Sequence, residues 1–160
     1  MFRNPQYGWC GVSVGTEYVG TASYLRDPVM DAMETFITYF REHTPFNLVF
    51  DAEGYCFGII EFADGLYIVS DNTNNGTLNS KIITGEMFGR TSAMSNDQIL
   101  RILATECIAD VERDFDKWVK WDTVFDDDES RERILEERKK ALRTAVDEIR
   151  DLLSDKRTDS

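Results

Sequence analysis

Glu106, Asp110 and Asp114 recur at every fourth residue, a spacing that lines carboxylates along one side of a helix. Successive members of such a column rise about 6 Å along the axis, close to the separation of phosphates along a nucleic-acid strand. The chemistry this allows is ionic docking into a basic channel made for DNA or RNA. Asp116, Asp122, Asp126, Asp127, Asp128 and Glu129 continue the run. From Glu106 to Glu129 ten acidic residues face only Arg113, Lys117 and Lys120, so this stretch supplies −7 of the formal −12. Trp121 and Phe125 lie inside it, and aromatic anchors within an acidic rim are a common make-up of surfaces that grip basic proteins. A plainer arrangement fits the same residues. The column would then be a solvated helix face partly neutralised by the three cations, with Trp118 and Trp121 packed under the last helix. The acids at 126–129 would serve the N-terminus of that helix.

Other chemistry has less support. His43 is the only histidine, and it falls near the end of a helix, where a cation complements the macrodipole. A Cys–His pair would need it to meet Cys10, Cys56 or Cys107 beside an orienting third group. No G-x-S-x-G turn exposes a serine. Asp71-Asn72-Thr73-Asn74-Asn75-Gly76 resembles the opening of a calcium loop, but its twelfth place is Ile82, where a bidentate glutamate is needed. There is no phosphate-binding glycine loop and no zinc-ligand cluster. Neither a cofactor nor a metal is expected.

The elements that must position these residues follow from the rest of the chain. With 160 residues, 42% of them hydrophobic and 12% aromatic, one domain with a real core is expected over 1–155, with a frayed tail at 156–160. The first residues lack the basic and apolar regions of a signal peptide, and no run approaches a membrane span. Three widely spaced cysteines read as buried reduced thiols, so the cytoplasm is the expected compartment. Residues 6–25 are rich in β-formers and turn at Gly15-Thr16, giving a hairpin. Asp27-Pro28 reads as an N-cap followed by proline at the first helical position. Val29, Met33, Phe36, Ile37 and Phe40 then form one apolar stripe, and Thr44-Pro45 ends it.

Phe46–Phe50, Tyr55–Phe62 and Leu66–Ser70, joined by short glycine-bearing loops, predict a three-stranded meander. An Asn-rich loop follows, and Lys81–Phe88 is a candidate fourth strand. Ser95 and Gln98 make a capping-box pattern with Met94 and Ile99 as its staple, opening a helix whose apolar stripe runs from Leu100 to Trp118. Leu135, Leu142 and Ile149 share heptad spacing on a last helix, which packs within the chain or pairs with a copy of itself. The fold class predicted is α+β. An antiparallel sheet, built from the N-terminal hairpin and a meander of three or four strands, packs with one N-terminal helix and two long C-terminal helices.

Asp64-Gly65-Leu66-Tyr67, Gly85-Glu86-Met87 and Met94-Ser95-Asn96-Asp97 give residues 63–103 a resemblance to plasmid antirestriction proteins of the ArdB and KlcA type. Those have an Asp-Gly-Gly-Phe-Tyr-like strand and a Gly-Glu-Met-Ser-x-Asp stretch that opens a helix. The resemblance spans about a quarter of the chain and is interrupted between Met87 and Met94. In general character the chain is also similar to anti-CRISPR proteins, being small, acidic and without an enzyme motif. What this implies is a non-enzymatic inhibitor that blocks a basic, nucleic-acid-binding surface of a protein or nucleoprotein effector. Its expected partner-binding residues are Glu106, Asp110, Asp114, Asp116, Trp121, Asp122, Phe125 and Asp126 to Glu129. Such a field repels nucleic acid and anionic membrane, so direct binding to either is not expected, and the protein would be a monomer or homodimer. An immunity or chaperone-like protein that neutralises a basic toxin has the same surface. A small cysteine- or carboxylate-dependent enzyme is the third reading.

Overall fold

The computed structural model describes residues 1–23, 25–72, 77–121 and 128–155. Among these residues two antiparallel sheets and four helices make the chain α+β. The first sheet has three strands in sequential order, β1 (Phe2–Gln6), β2 (Trp9–Val14) and β3 (Glu17–Ala22). The second is a four-stranded meander of β4 (Asn47–Asp51), β5 (Cys56–Phe62), β6 (Gly65–Asn72) and β7 (Thr77–Ile82). The helices are α1 (Pro28–Glu42), α2 (Asn96–Arg113), the single turn-and-a-bit α3 (Phe115–Val119) and α4 (Asp128–Ser154).

Three elements depart from expectation. The hairpin gains a strand, because Phe2–Gln6 pairs with β2 across a register shift between Arg3 and Gln6. The fourth strand of the meander is Thr77–Ile82, ahead of the expected Lys81–Phe88, and Gly85–Phe88 forms a 3₁₀ turn closed by Gly89. The helix expected to run unbroken to Trp118 stops at Arg113, and the chain re-enters helical geometry at Phe115. There are thus two sheets where one was expected.

Local signals explain the helix ends. The Asp27 carboxylate accepts the Met30 N–H at 3.2 Å, with Pro28 opening α1. His43 ends it in the left-handed region at φ 54°, its N–H bonded to the Tyr39 carbonyl. Ser95 and Gln98 exchange both bonds of the capping box at 3.2 and 2.9 Å. Each such cap is worth about 1 kcal/mol.

One continuous core joins all the layers. Leu48, Phe50, Phe57, Ile59 and Leu66 on the inner face of the second sheet are at most 2% exposed. They face α1, whose Phe36 ring lies 5.1 Å from that of Phe46. Leu142 and Ile149 of α4 are fully buried, so the heptad seam is spent inside the chain against α1 and α2. Arg138 fixes α4 further, pairing with Asp27 at 2.5 Å and donating to the Trp118 carbonyl at 2.7 Å. No helix among the described residues is long and apolar enough to cross a membrane.

The two sheets meet through backbone. The Ser23 N–H donates to the Asp51 carbonyl and the Thr16 N–H to that of Met87, both at 2.8 Å. Gly15, at φ 56°, lets the β2–β3 turn approach the 3₁₀ turn so closely that a Cβ would sit 2.0 Å from the Met87 oxygen. A Gly15→Ala variant must therefore both strain the turn and open this junction. It is expected to lose at least about 2 kcal/mol, measured as a lower urea midpoint with an unchanged slope.

Candidate functional site

The carboxylate column lies on α2 as expected, and its members make contacts within the chain. The Asp110 carboxylate is mostly buried and takes three partners from two places in the chain. Its Oδ2 accepts the Met1 ammonium at 2.6 Å and the Phe2 N–H at 2.7 Å. Its Oδ1 accepts Arg113 at 2.6 Å, and Arg113 reaches on to the Phe2 carbonyl at 3.2 Å. Glu106 stands 3.4 Å from the same ammonium. Asp114 holds Arg113 at 3.0 Å and Lys117 at 2.8 Å. These cations, Lys117 first and then Arg113, hold the Asp114 carboxyl below its ordinary 3.8. Glu112 pairs with Arg150 of α4 at 2.5 Å. The column therefore works as a clasp that fastens β1 to α2.

Trp121 is not an exposed anchor. It is 5% exposed, its ring tilted 38° and 5.0 Å from that of the fully buried Trp118, which in turn meets the Phe2 ring. Of the remaining expected positions, Asp116 is exposed on α3. Asp122, Phe125, Asp126 and Asp127 lie outside the described residues, and Asp128 and Glu129 begin the backbone of α4.

Cys10 and Cys107 are buried, and burial pushes both thiols up to about 12. Neither is a thiolate at neutral pH, which removes both as nucleophiles. Cys56 is exposed. Among the described residues no group of three or more His, Cys, Asp or Glu side chains could hold a metal ion.

A different surface stands out in the structure. On the outer side of the second sheet, Ile60, Tyr67 and Ile82 are matched across β5, β6 and β7 and form one cross-strand row. Phe62 lies beside it with its ring 5.5 Å from that of Tyr67, and Leu78 and Val49 extend it. Phe62, Leu78 and Ile82 are 48, 66 and 45% exposed. The rim is acidic. Asp51 and Asp71 point the same way, Glu53 and Asp64 sit in the adjoining turns, and Asp64 accepts the Tyr67 hydroxyl at 2.9 Å. No outward position among the described residues of this sheet is Lys or Arg; Lys81 is on the inner side, paired with Glu17 of β3 at 2.8 Å. The alternation of these residues is visible in the sequence, but an outward set as apolar as the inner one reads as core on both faces. No protein-family model matches the chain, and no curated protein or solved structure matches it significantly.

Three outcomes follow. Asp110→Ala strips a partner from each of its donors and should cost about 3 kcal/mol, whereas Asp116→Ala should stay within about 0.5 kcal/mol; chemical denaturation of both checks this. Because the folded carboxyl of Asp114 lies below its ordinary value, its contribution is present above about pH 4 and fades as pH falls through the folded value. Because Arg113 and Lys117, which hold it, are themselves exposed, it amounts to less than about 1 kcal/mol. Midpoints measured from pH 5 to about pH 2 should show a shallower acid loss for Asp114→Asn. In the native protein a thiol reagent should modify Cys56 alone, with Cys10 and Cys107 reacting only after unfolding; mass spectrometry distinguishes these.

Proposed function

We propose that this chain is an acidic binding protein that occupies a basic surface of a partner, using the outer face of the four-stranded sheet. The observation that carries the reading is an open apolar row with an acidic rim and no outward basic residue among the described residues of the four-stranded sheet. Apolar contact at the centre supplies affinity, while the carboxylates select and steer a partner whose own rim is positive. The net charge of −12 disfavours nucleic acid and a second copy of the chain as the occupant. The resemblance of residues 63–103 to antirestriction proteins favours, as partner, a host defence complex whose basic surface grips nucleic acid. The α2 column supports this only as part of the general field, since Asp110 and Asp114 are engaged internally.

Capture from the native host tests the reading. Wild-type protein should retain a basic partner at low salt and release it as salt rises. Leu78→Ser with Ile82→Ser, or Asp71→Lys, should lower retention about tenfold or more, while Asp116→Lys leaves it largely intact. Retention that survived the sheet variants and followed Asp116 would contradict it.

A further inference from the structure

A second feature borders the apolar row. Between the C-terminal end of α1, the end of β5 and the start of α2 lies a cleft of about 440 Å³, lined by Tyr39, His43, Pro45, Glu61, Phe62 and Asn96. Glu61 is its one carboxylate. Its Oε2 accepts the Phe46 N–H at 3.0 Å and its Oε1 accepts the Asn96 amide at 2.9 Å. Both donors are neutral, so the carboxylate is fixed in direction while its charge is uncompensated by either. Arg101, the cation nearest on α2, is occupied by Asp97 at 2.7 Å and lies over the Phe40 ring. The Tyr39 hydroxyl is pushed up to about 12 by burial and then by the negative charges of Glu61 and Asp97, against Arg101. Phe62, nearly half exposed, belongs both to this cleft and to the outer sheet face.

A held carboxylate beside exposed aromatic surface is what a guanidinium needs. The planar cation forms charge-assisted bonds to the carboxylate in its plane and stacks on a ring with its face, and it sheds water more readily than an ammonium. We propose that this cleft receives the arginine side chain of the partner that docks on the outer sheet face. The guanidinium meets Glu61, and its aliphatic stem lies along Phe62 and Pro45. The inference rests on the preceding reading for the source of the arginine, but the cleft's own selectivity is separable from it.

The test has two arms. In the first, the isotope-labelled protein is titrated with N-acetyl-arginine amide, with the uncharged N-acetyl-citrulline amide as control. Saturable amide shifts at Tyr39, His43, Glu61, Phe62 and Asn96 are expected with the arginine compound alone. Glu61→Gln should weaken that response about tenfold or more, the usual worth of a charge-assisted bond, and its unliganded spectrum reports whether it is folded. Phe62→Ala, at an exposed position, should weaken it less and provides a variant that does not disturb the Glu61 bonds. Absence of shifts, or equal shifts with citrulline, would overturn the proposal.

In the second arm, capture from host lysate is repeated with Glu61→Gln. Reduced retention of the same partner supports an arginine anchor. Undiminished retention beside intact binding of N-acetyl-arginine amide would assign the cleft to a free ligand and overturn its role in docking. The Leu78→Ser, Ile82→Ser protein separates the two readings, because it should lose capture yet titrate with N-acetyl-arginine amide as wild type does.

Discussion

The carboxylate of Asp110 is the point on which the rest of the arrangement turns. By receiving the Phe2 N–H, the Met1 ammonium and Arg113 together, it draws β1 onto α2. That places the Phe2 ring against Phe50, 6.0 Å away, and Trp118, 5.5 Å away. Trp118 in turn positions α3, whose backbone accepts Arg138 from α4, and Arg138 reaches the N-cap of α1 through Asp27. A chain of polar contacts thus surrounds the core where the first sheet meets the helices. Buried carboxylates are tolerable only when so fully partnered, and the cost of losing one partner is correspondingly high.

This clasp changes where the surface charge resides. The four-fold spacing of Glu106, Asp110 and Asp114 suggests a displayed column, yet the middle member is mostly inside and the last is held by two cations. The sheet that the helices cover on its inner side keeps its outer side open. There the charge is peripheral and the centre apolar, the usual division of labour at an interface: apolar contact for affinity, charge for choice of partner.

How much of this was legible in the sequence depends on range. Asp27-Pro28 and Ser95-x-x-Gln98 announce helix starts because each cap is made within a few residues. The meander is legible for the same reason, as alternating strands joined by short turns. Phe2–Gln6 is not: it contains Pro5, has little alternation, and exists as a strand only because β2 and Asp110 hold it. The break at Asp114 has no glycine or proline to signal it; the side chain is recruited by Arg113 and Lys117 instead. The partner of Asp110 lies 109 residues away, beyond any local pattern. Trp121 likewise reads as a possible anchor until its neighbour Trp118 is seen to be packed on Phe2. The outer row was present as residues, but which face stays open is set by where α1, α2 and α4 pack.

In the proposed complex the partner covers the outer sheet face while the α2 column stays internal. Cys56 stands on that face, exposed, in line with Asp51 across the strand pair. The direct measurement is therefore the rate at which Cys56 is alkylated in the free protein and in the captured complex. A slowing of about tenfold or more is expected on complex formation. An alkylation rate unchanged in a complex that is demonstrably intact would contradict it.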